Sequence, residues 1–300
     1  MLRPTSGCAG SGPLHRSSVD VAWRTVFTLT SFTCFGLGAL LLGVVLFPLI
    51  HLINRDAAAS ERCCRKCIHY SFRLFVGLMN VTGVLDYRVT GRPRSARGQL
   101  IVANHPSLID VIFVVAQVPD AYCVVKDDLG RNLFTRFIVK ATGYVTSEPP
   151  ELAISRCVEL LEAGATVVMF PEGTRTVSGQ PLCFKHGAAR VICQARCPVL
   201  PVHLSITPPT LAKGEAWSKV PDTRVQYFME FGDVVASEQL LEVGRSERQN
   251  TRICSQRLQS LFEDKLEKHN DHGRPVEGHQ SPDCEYAGAR GYRALQHRGR

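Results

Sequence analysis

A long uncharged segment is the feature that most restricts how this chain can fold. Residues 25–50 read TVFTLTSFTCFGLGALLLGVVLFPLI and contain no Asp, Glu, Lys or Arg. At about 1.5 Å per residue, a helix of this length exceeds the roughly 30 Å hydrocarbon core of a bilayer. Cleaved signal peptides carry a shorter apolar run, so we expect a retained membrane anchor over residues 21–54. Gly36, Gly38, Gly43 and Pro48 interrupt the run and leave open a hairpin that enters one leaflet and returns.

Charges on either side of the anchor predict its orientation. Arg3, Arg16 and Arg24 precede the segment, and a denser basic set follows it: Arg55, Arg62, Arg65, Lys66 and Arg73. By the positive-inside rule, the remainder of the chain is expected on the cytoplasmic face of the membrane. The compact layout favours a bacterial inner membrane.

Residues 55–84 carry two stripes at helical spacing. One stripe is basic (Arg62, Arg65, Lys66, His69, Arg73) and the other is apolar (Cys64, Cys67, Ile68, Phe72, Phe75, Met79). This pattern predicts an amphipathic helix. Because it follows a membrane anchor, we expect it to rest among the lipid headgroups, although a merely solvated polar face would give the same pattern.

Strand-like and helix-like runs alternate between residues 85 and 269. The strand-like runs are QLIVANH, AYCVVK, TVVMFPE, CPVLPVHLSI and VQYFMEFG, and the helix-like runs are LIDVIFVVAQV, NLFTRFIVKATG, PELAISRCVELLEAG, GAARVICQAR and RSERQNTRICSQRLQSLFEDKLEKH. Alternation of this kind predicts an α/β catalytic domain, with a mostly parallel or mixed sheet flanked by helices. Residues 1–20 and 270–300 are polar and rich in Gly or Pro, and we expect both ends to be disordered.

Charge and cysteine usage exclude several classes of protein. The net charge of +8 suits a nucleic acid, an anionic membrane or a phosphate-bearing substrate. The basic residues concentrate beside the anchor and in the tail without interleaved stacking aromatics, which argues against nucleic acid. The 12 cysteines are scattered, as in a protein of a reducing compartment, and CCRKC at 63–67 has no second Cys or His pair at zinc-finger distance. We therefore expect no metal site.

The segment NHPSLID at 104–110 places a titratable pair where a strand gives way to a helix. Ligands of α/β sheets bind beyond the carboxyl ends of strands, so His105 is suitably placed for chemistry. The turn that follows can bring the Asp110 carboxylate to one imidazole nitrogen, as in a general base with an orienting partner. Ser107 and Asp110 also form an S-x-x-D helix-capping pattern, and this structural explanation is equally compatible with the residues.

A second segment, MFPEGTR at 169–175, favours the chemical explanation. Gly173 permits close backbone approach, and Arg175 can present a bidentate fork to a phosphate. A simple Pro and Gly turn with a surface arginine is the alternative.

These segments resemble the motifs of the glycerolipid acyltransferases of the 1-acyl-sn-glycerol-3-phosphate type. NHPSLID is similar to the H-x-x-x-x-D block of the family, KDDL (126–129) to its second block, FPEGTR to its third and PVLPVHLS (198–205) to its fourth. FKHGAAR (184–190) matches the stretch between the last two. All of them follow the family order.

The resemblance implies an O-acyltransferase of phospholipid biosynthesis. His105 would act as general base on an acceptor hydroxyl, and Asp110 would hold the imidazole. The donor would be a fatty acyl thioester of coenzyme A or acyl carrier protein, with no other cofactor. Glu172, Gly173, Thr174, Arg175 and Lys126 would bind the polar head of a lysophosphatidate-like lipid, so membrane lipids are expected partners.

Departures from the family pattern keep the acceptor open. Where family members often have Pro-x-x-Gly and a later Arg, this chain has RNLFTRF (131–137) and GYVTSE (143–148), and Thr176 and Val177 replace a common Ser-Arg pair. Glycerol phosphate, another lysophospholipid, a lyso-aminolipid or a specialised lipid are alternative acceptors. A catalytically inactive membrane scaffold is an alternative of a different class.

Overall fold

The computed structural model describes residues 18–93, 97–132, 135–176 and 180–270. Most of the two ends predicted to be disordered, namely residues 1–17 and 271–300, lie outside the described residues. Val177 and part of RNLFTRF, residues 133–134, also lie outside them. Residues 18–20 and Asn270 belong to helices.

The domain contains helices on both faces of one sheet. The helices are α1 (Ser18–Leu41), α2 (Phe47–Ile53), α3 (Ala57–Val81), α4 (Asp110–Gln117), α5 (Asp127–Arg131), α6 (Arg136–Thr142), α7 (Pro150–Glu162), α8 (Gly187–Ala195), α9 (Ser237–Leu240) and α10 (Glu247–Asn270). The strands are β1 (Leu85–Thr90), β2 (Leu100–Ala103), β3 (Tyr122–Val125), β4 (Val145–Thr146), β5 (Val167–Met169), β6 (Val199–Thr207) and β7 (Val225–Phe231).

The sheet is mixed and mostly parallel, which confirms the predicted α/β class. Its strand order is β1-β7-β6-β2-β5-β3-β4. The strands from β6 to β4 run parallel to one another, whereas β7 pairs antiparallel with β6 and parallel with β1. The five predicted strands are all present. β1 and β4 were not predicted, because β1 (LDYRVT) carries charges along an edge and β4 has only two residues.

Two apolar layers cover the sheet. One layer joins it to α3 and α4, and includes Phe75, Met79 and Phe113. The other joins it to α7, α8 and α10, and includes Leu161, Ile192 and Phe262. All four residues of β2 are buried, as expected of a central strand covered on both faces. β2 is the strand that leads to His105.

The predicted anchor forms one continuous helix. α1, a π-helical segment (Leu42–Leu46) and α2 follow each other without a break, so no hairpin occurs in this segment. The helix Val19–Ile53 is long and apolar enough to cross a membrane; its most apolar 18-residue stretch has a mean hydropathy of 2.4, and 11% of that stretch is buried. One face packs on the domain through Phe35 and Phe47, while Leu41 and Val44 on the opposite face are exposed.

Helix α3 exists where the amphipathic pattern predicts it, but its predicted basic face is partly buried. Arg65 is 3% exposed and donates to Asp120 Oδ1 at 2.7 Å and to the Thr142 carbonyl at 2.9 Å. His69 is also buried, with its Nδ1 2.8 Å from the Val115 carbonyl. The expectation that both residues face lipid headgroups is therefore wrong. Helical spacing identifies a polar stripe, but distant acceptors decide whether that stripe meets solvent.

Candidate active site

Three predicted site segments follow neighbouring parallel strands. β2, β5 and β3 lie side by side and run in the same direction. His105 follows β2, the FPEGTR segment follows β5, and Lys126 follows β3. The carboxyl ends of parallel strands lie at one edge of a sheet, so all three segments belong to the same edge.

Asn104 fixes the end of β2. Its side-chain amide donates to the Leu204 carbonyl, and its side-chain oxygen accepts from the Leu204 N–H, both at 2.8 Å. Leu204 belongs to β6, the neighbour of β2 in the sheet. This paired contact holds the residue that precedes His105 and limits its freedom to move.

His105 and Asp110 are in direct contact. His105 Nδ1 lies 2.8 Å from Asp110 Oδ2, and Asp110 is the first residue of α4. The same Oδ2 accepts the backbone N–H of Ser107 at 2.6 Å, while Ser107 Oγ accepts the N–H of Ile109 at 3.2 Å. The Asp110 carboxylate therefore serves both the S-x-x-D turn and the predicted pair with His105. His105 Nε2 makes no hydrogen bond with any residue that the structure describes, and the side chain is 17% exposed.

The Asp110 carboxylate is fully buried and is held by donors on both oxygens. Its second oxygen, Oδ1, accepts the hydroxyl of Tyr227 at 2.8 Å. Burial raises the pKa of Asp110, and the contacts with His105, Ser107 and Tyr227 act in the opposite direction. The net direction is upward, because desolvation is the largest contribution.

Glu172 joins the FPEGTR segment to His105. It is 6% exposed, its Oε1 accepts the backbone N–H of His105 at 2.8 Å, and its Oε2 accepts the Thr176 hydroxyl at 2.6 Å. The Thr176 N–H in turn donates to the His105 carbonyl at 2.7 Å. Burial raises the pKa of Glu172, and these donors partly oppose that rise. Both oxygens of Glu172 are therefore engaged by the protein.

Gly173 and Arg175 occupy the next positions of the segment. Gly173 has φ +64°, a left-handed conformation that suits glycine, and a Cβ at this position would lie 3.0 Å from the Lys185 ammonium. Arg175 donates from one terminal nitrogen to the carbonyls of Leu211 and Ala212, both at 2.9 Å. The loop that contains these carbonyls also accepts the Leu108 N–H at 3.1 Å, so it contacts both motifs.

Lys126 and Thr174 are the two remaining residues predicted to bind substrate. Lys126 is exposed at the carboxyl end of β3 and precedes α5. Thr174 is half-buried between Gly173 and Arg175. Within the described ranges, no group of three or more His, Cys, Asp or Glu side chains is arranged to hold a metal ion.

Tyr227 is one residue of this site that the sequence did not reveal. The alternation in VQYFMEFG places Tyr227 on the buried face of β7, and a buried tyrosine hydroxyl needs a partner. The partner lies 117 positions earlier in the chain, so the local pattern could not identify it. Lys185, beside Gly173, is a second residue that was not singled out.

Comparison with known proteins agrees with this architecture. Residues 86–205 match the family model described as Acyltransferase. A 1-acyl-sn-glycerol-3-phosphate acyltransferase of Helicobacter pylori is 30% identical over 152 residues, which cover 48% of this chain and 59% of that protein. One from Cocos nucifera is 26% identical over 163 residues, covering 50% of this chain and 53% of that protein. The chain thus spans little more than half the length of these relatives.

A solved structure shares the fold. The crystal structure of the 1-acyl-sn-glycerophosphate acyltransferase PlsC from Thermotoga maritima superposes with a TM-score of 0.64 at 21% identity, covering 86% of this chain and 99% of that one. This chain shares that α/β fold and places a His-Asp pair at the carboxyl edge of its sheet. The match to the Acyltransferase family model spans residues 86–205, which include the His105–Asp110 pair and the FPEGTR segment.

Proposed function

We propose that this protein is an O-acyltransferase that moves a fatty acyl group from an acyl thioester to the hydroxyl of a lysophosphatidate-like lipid. The observation that carries the proposal is the 2.8 Å contact of His105 Nδ1 with buried Asp110, which leaves Nε2 without a described partner. An imidazole held in this way can accept a proton at Nε2. The family match and the names of the relatives support acyl transfer as the reaction.

The proposed mechanism uses this geometry. Asp110 accepts the Nδ1–H and so fixes the tautomer in which Nε2 is basic. His105 Nε2 takes the proton of the acceptor hydroxyl as its oxygen attacks the thioester carbonyl. The C–S bond then breaks, and the thiolate of coenzyme A or acyl carrier protein receives the proton from the imidazolium. The acyl group passes directly to the lipid, so no acyl-enzyme forms.

The FPEGTR segment supplies the proposed acceptor subsite. Arg175 directs one terminal nitrogen to protein carbonyls, and the rest of its guanidinium, which has no hydrogen bond to any described residue, would bind a phosphate. Gly173 brings the backbone close, and Thr174 and Lys126 lie at the same edge of the sheet. Glu172 has both oxygens engaged, so its proposed role is to brace His105 against this turn.

The anchor helix would hold this site at a membrane. Its exposed apolar face includes Leu37, Leu41, Val44 and Leu52, and exposed Arg62 lies on α3 next in the chain. The basic residues that follow the anchor favour the cytoplasmic face, and we extend the proposal to a bacterial inner membrane. Lipid acceptors would then reach the site from the bilayer.

An acyl-transfer assay tests this function. Washed membranes containing the protein would be supplied with lysophosphatidate, lysophosphatidylcholine or glycerol 3-phosphate, each with acyl-coenzyme A or acyl carrier protein as donor. We expect transfer to lysophosphatidate above all, with a higher acceptor KM in Arg175→Ala if Arg175 binds the ground state and transition state alike. Preference for another acceptor would reassign the substrate. Absence of transfer to every acceptor would favour an inactive scaffold and refute the proposal.

A further inference from the structure

The Asp110 carboxylate has a partner that belongs to neither acyltransferase motif. Oδ2 accepts from His105 and Ser107, whereas Oδ1 accepts only the Tyr227 hydroxyl among the described residues. Asp110 is fully buried and Tyr227 is 1% exposed, so water does not compete for this bond. A hydrogen bond to a buried carboxylate is worth more than one between neutral groups.

Tyr227 is held rigidly in place. Its ring stacks on Phe113 with a centroid distance of 3.8 Å and an interplanar angle of 19°. Phe113 lies one turn beyond Asp110 on α4, so the helix that carries the carboxylate also carries the platform for the tyrosine ring. The backbone of Tyr227 belongs to β7, opposite Ile206 of β6. The hydroxyl therefore has little freedom to leave Oδ1.

This arrangement acts on the charge of the pair. Burial alone raises the pKa of Asp110, and a protonated Asp110 could not hold His105 in the basic tautomer. The charged or titratable groups around Asp110 are His105, Tyr227 and Glu172. The carboxylates of Glu172 and Asp110 repel each other, so each disfavours ionisation of the other. Among these, His105 and Tyr227 offer hydrogen bonds to the ionised form. Tyr227 differs from His105 in that it takes no part in the proposed proton transfer.

We infer that Tyr227 is a positioning residue that keeps the Asp110 carboxylate ionised and aimed at His105 Nδ1. The inference rests on the proposed function for its kinetic consequences, but its geometric claim concerns only His105, Asp110 and Tyr227. A tyrosine that merely satisfied its own buried hydroxyl would affect folding and leave the chemistry of the folded protein unchanged.

The test is Tyr227→Phe, which removes one hydroxyl and retains the aromatic stack. We expect kcat to fall about 10-fold, as for the loss of one hydrogen bond to a charged group, with the acceptor KM unchanged. The phenolic hydroxyl stabilises the anionic pair, so without it the pair takes up a proton more readily. The acidic limb of the kcat/KM profile should move to higher pH by about one unit.

Tyr87→Phe is the matched control. Tyr87 also contacts the Phe113 ring, edge-on at 5.7 Å, but it is 40% exposed and has no contact with Asp110. Its loss of a hydroxyl should leave kcat and the pH profile as in the wild type. If Tyr227→Phe melts at a lower temperature yet keeps the wild-type kcat and acidic limb, Tyr227 is structural only and the inference is overturned.

A second measurement separates this inference from the proposed function. Histidine-labelled full-length protein in lipid nanodiscs would be titrated by NMR, with the His105 signal identified by its absence in His105→Gln. The midpoint for proton uptake by the His105–Asp110 pair, read from the His105 ring signals, should lie at higher pH in Tyr227→Phe than in wild type or Tyr87→Phe, whether or not acyl transfer occurs. Equal midpoints in all three proteins would refute the inference. A shifted midpoint in Tyr227→Phe together with a wild-type protein that transfers no acyl group would refute only the proposed function.

Discussion

Removing the Glu172 carboxylate should destabilise the protein by an amount that the structure allows us to work out. In Glu172→Ala, the part-buried N–H of His105 loses its acceptor, which costs about 1–3 kcal/mol. The half-buried Thr176 hydroxyl can turn towards water, so the loss of its hydrogen bond to Glu172 adds little to the cost. The cost of burying the carboxylate, which the raised pKa of Glu172 reflects, disappears and offsets part of the loss. We expect the free energy of unfolding to fall by about 1–2 kcal/mol.

Glu172→Gln is the matched control for this change. Its carbonyl oxygen can accept from His105, and its amide can donate to Thr176 Oγ, so at pH 7 we expect stability within about 0.5 kcal/mol of wild type. The folded-state pKa of Glu172 lies above its unfolded value. Wild type therefore has an advantage over Glu172→Gln that is fully present below about pH 4 and is lost as pH rises through the folded pKa.

Thermal unfolding of the purified protein in detergent measures both effects. In a domain of roughly 150–250 residues, 1 kcal/mol corresponds to about 2–4 °C, so Glu172→Ala should melt about 2–8 °C below wild type. The melting temperature of Glu172→Gln should rise relative to that of wild type as the pH increases from 4 to 7.5. An alanine variant as stable as wild type, or a glutamine variant as unstable as the alanine variant, would refute the assigned contacts.

Three further changes test other parts of the structure. Arg65→Met should lower the free energy of unfolding by about 2–4 kcal/mol, because the acceptors of the buried guanidinium lose their donor. Arg62→Met is the control: this exposed side chain lies 3.6 Å from Asp120, which Arg65 also contacts, and its loss should cost less than about 1 kcal/mol. Denaturant titration measures both values. Leu41→Arg should weaken retention in carbonate-washed membranes by about 2.5–3.5 kcal/mol, because Leu41 lies on the proposed lipid-facing side of the anchor. Leu152→Arg, at a similarly exposed position on α7, should leave retention unchanged. Equal retention of the two variants would contradict a lipid-facing anchor. Wild-type kcat/KM should fall on acidification as the His105–Asp110 pair takes up a proton, and a value that stays constant down to about pH 4 would contradict a histidine base.

Local sequence patterns predicted much of the fold because they reflect burial. Alternation and helical spacing identified five strands and the helices α4, α6, α7, α8 and α10, but not the short helices α5 and α9. The motif positions followed from the strand ends. The edge strand β1 escaped prediction because its exposed charges hide the alternation. β4 is too short to carry a pattern.

Contacts between distant residues set the limit of that prediction. Arg65 is on the polar stripe of α3, yet Asp120 and Thr142 supply the acceptors that bury it. The role of Glu172 likewise depends on the backbone of His105, 67 positions earlier. Such pairings depend on how strands and loops meet, which spacing along the chain does not encode.

The rate of acyl transfer by His105→Ala tests the central claim most directly. Wild type and variant would be compared in washed membranes at equal protein level, with lysophosphatidate and acyl-coenzyme A, after thermal unfolding shows that the variant is folded. Loss of the general base predicts a fall in rate on the order of 100- to 10,000-fold. A folded His105→Ala protein that transfers acyl groups at the wild-type rate would contradict the assignment of His105 as the base.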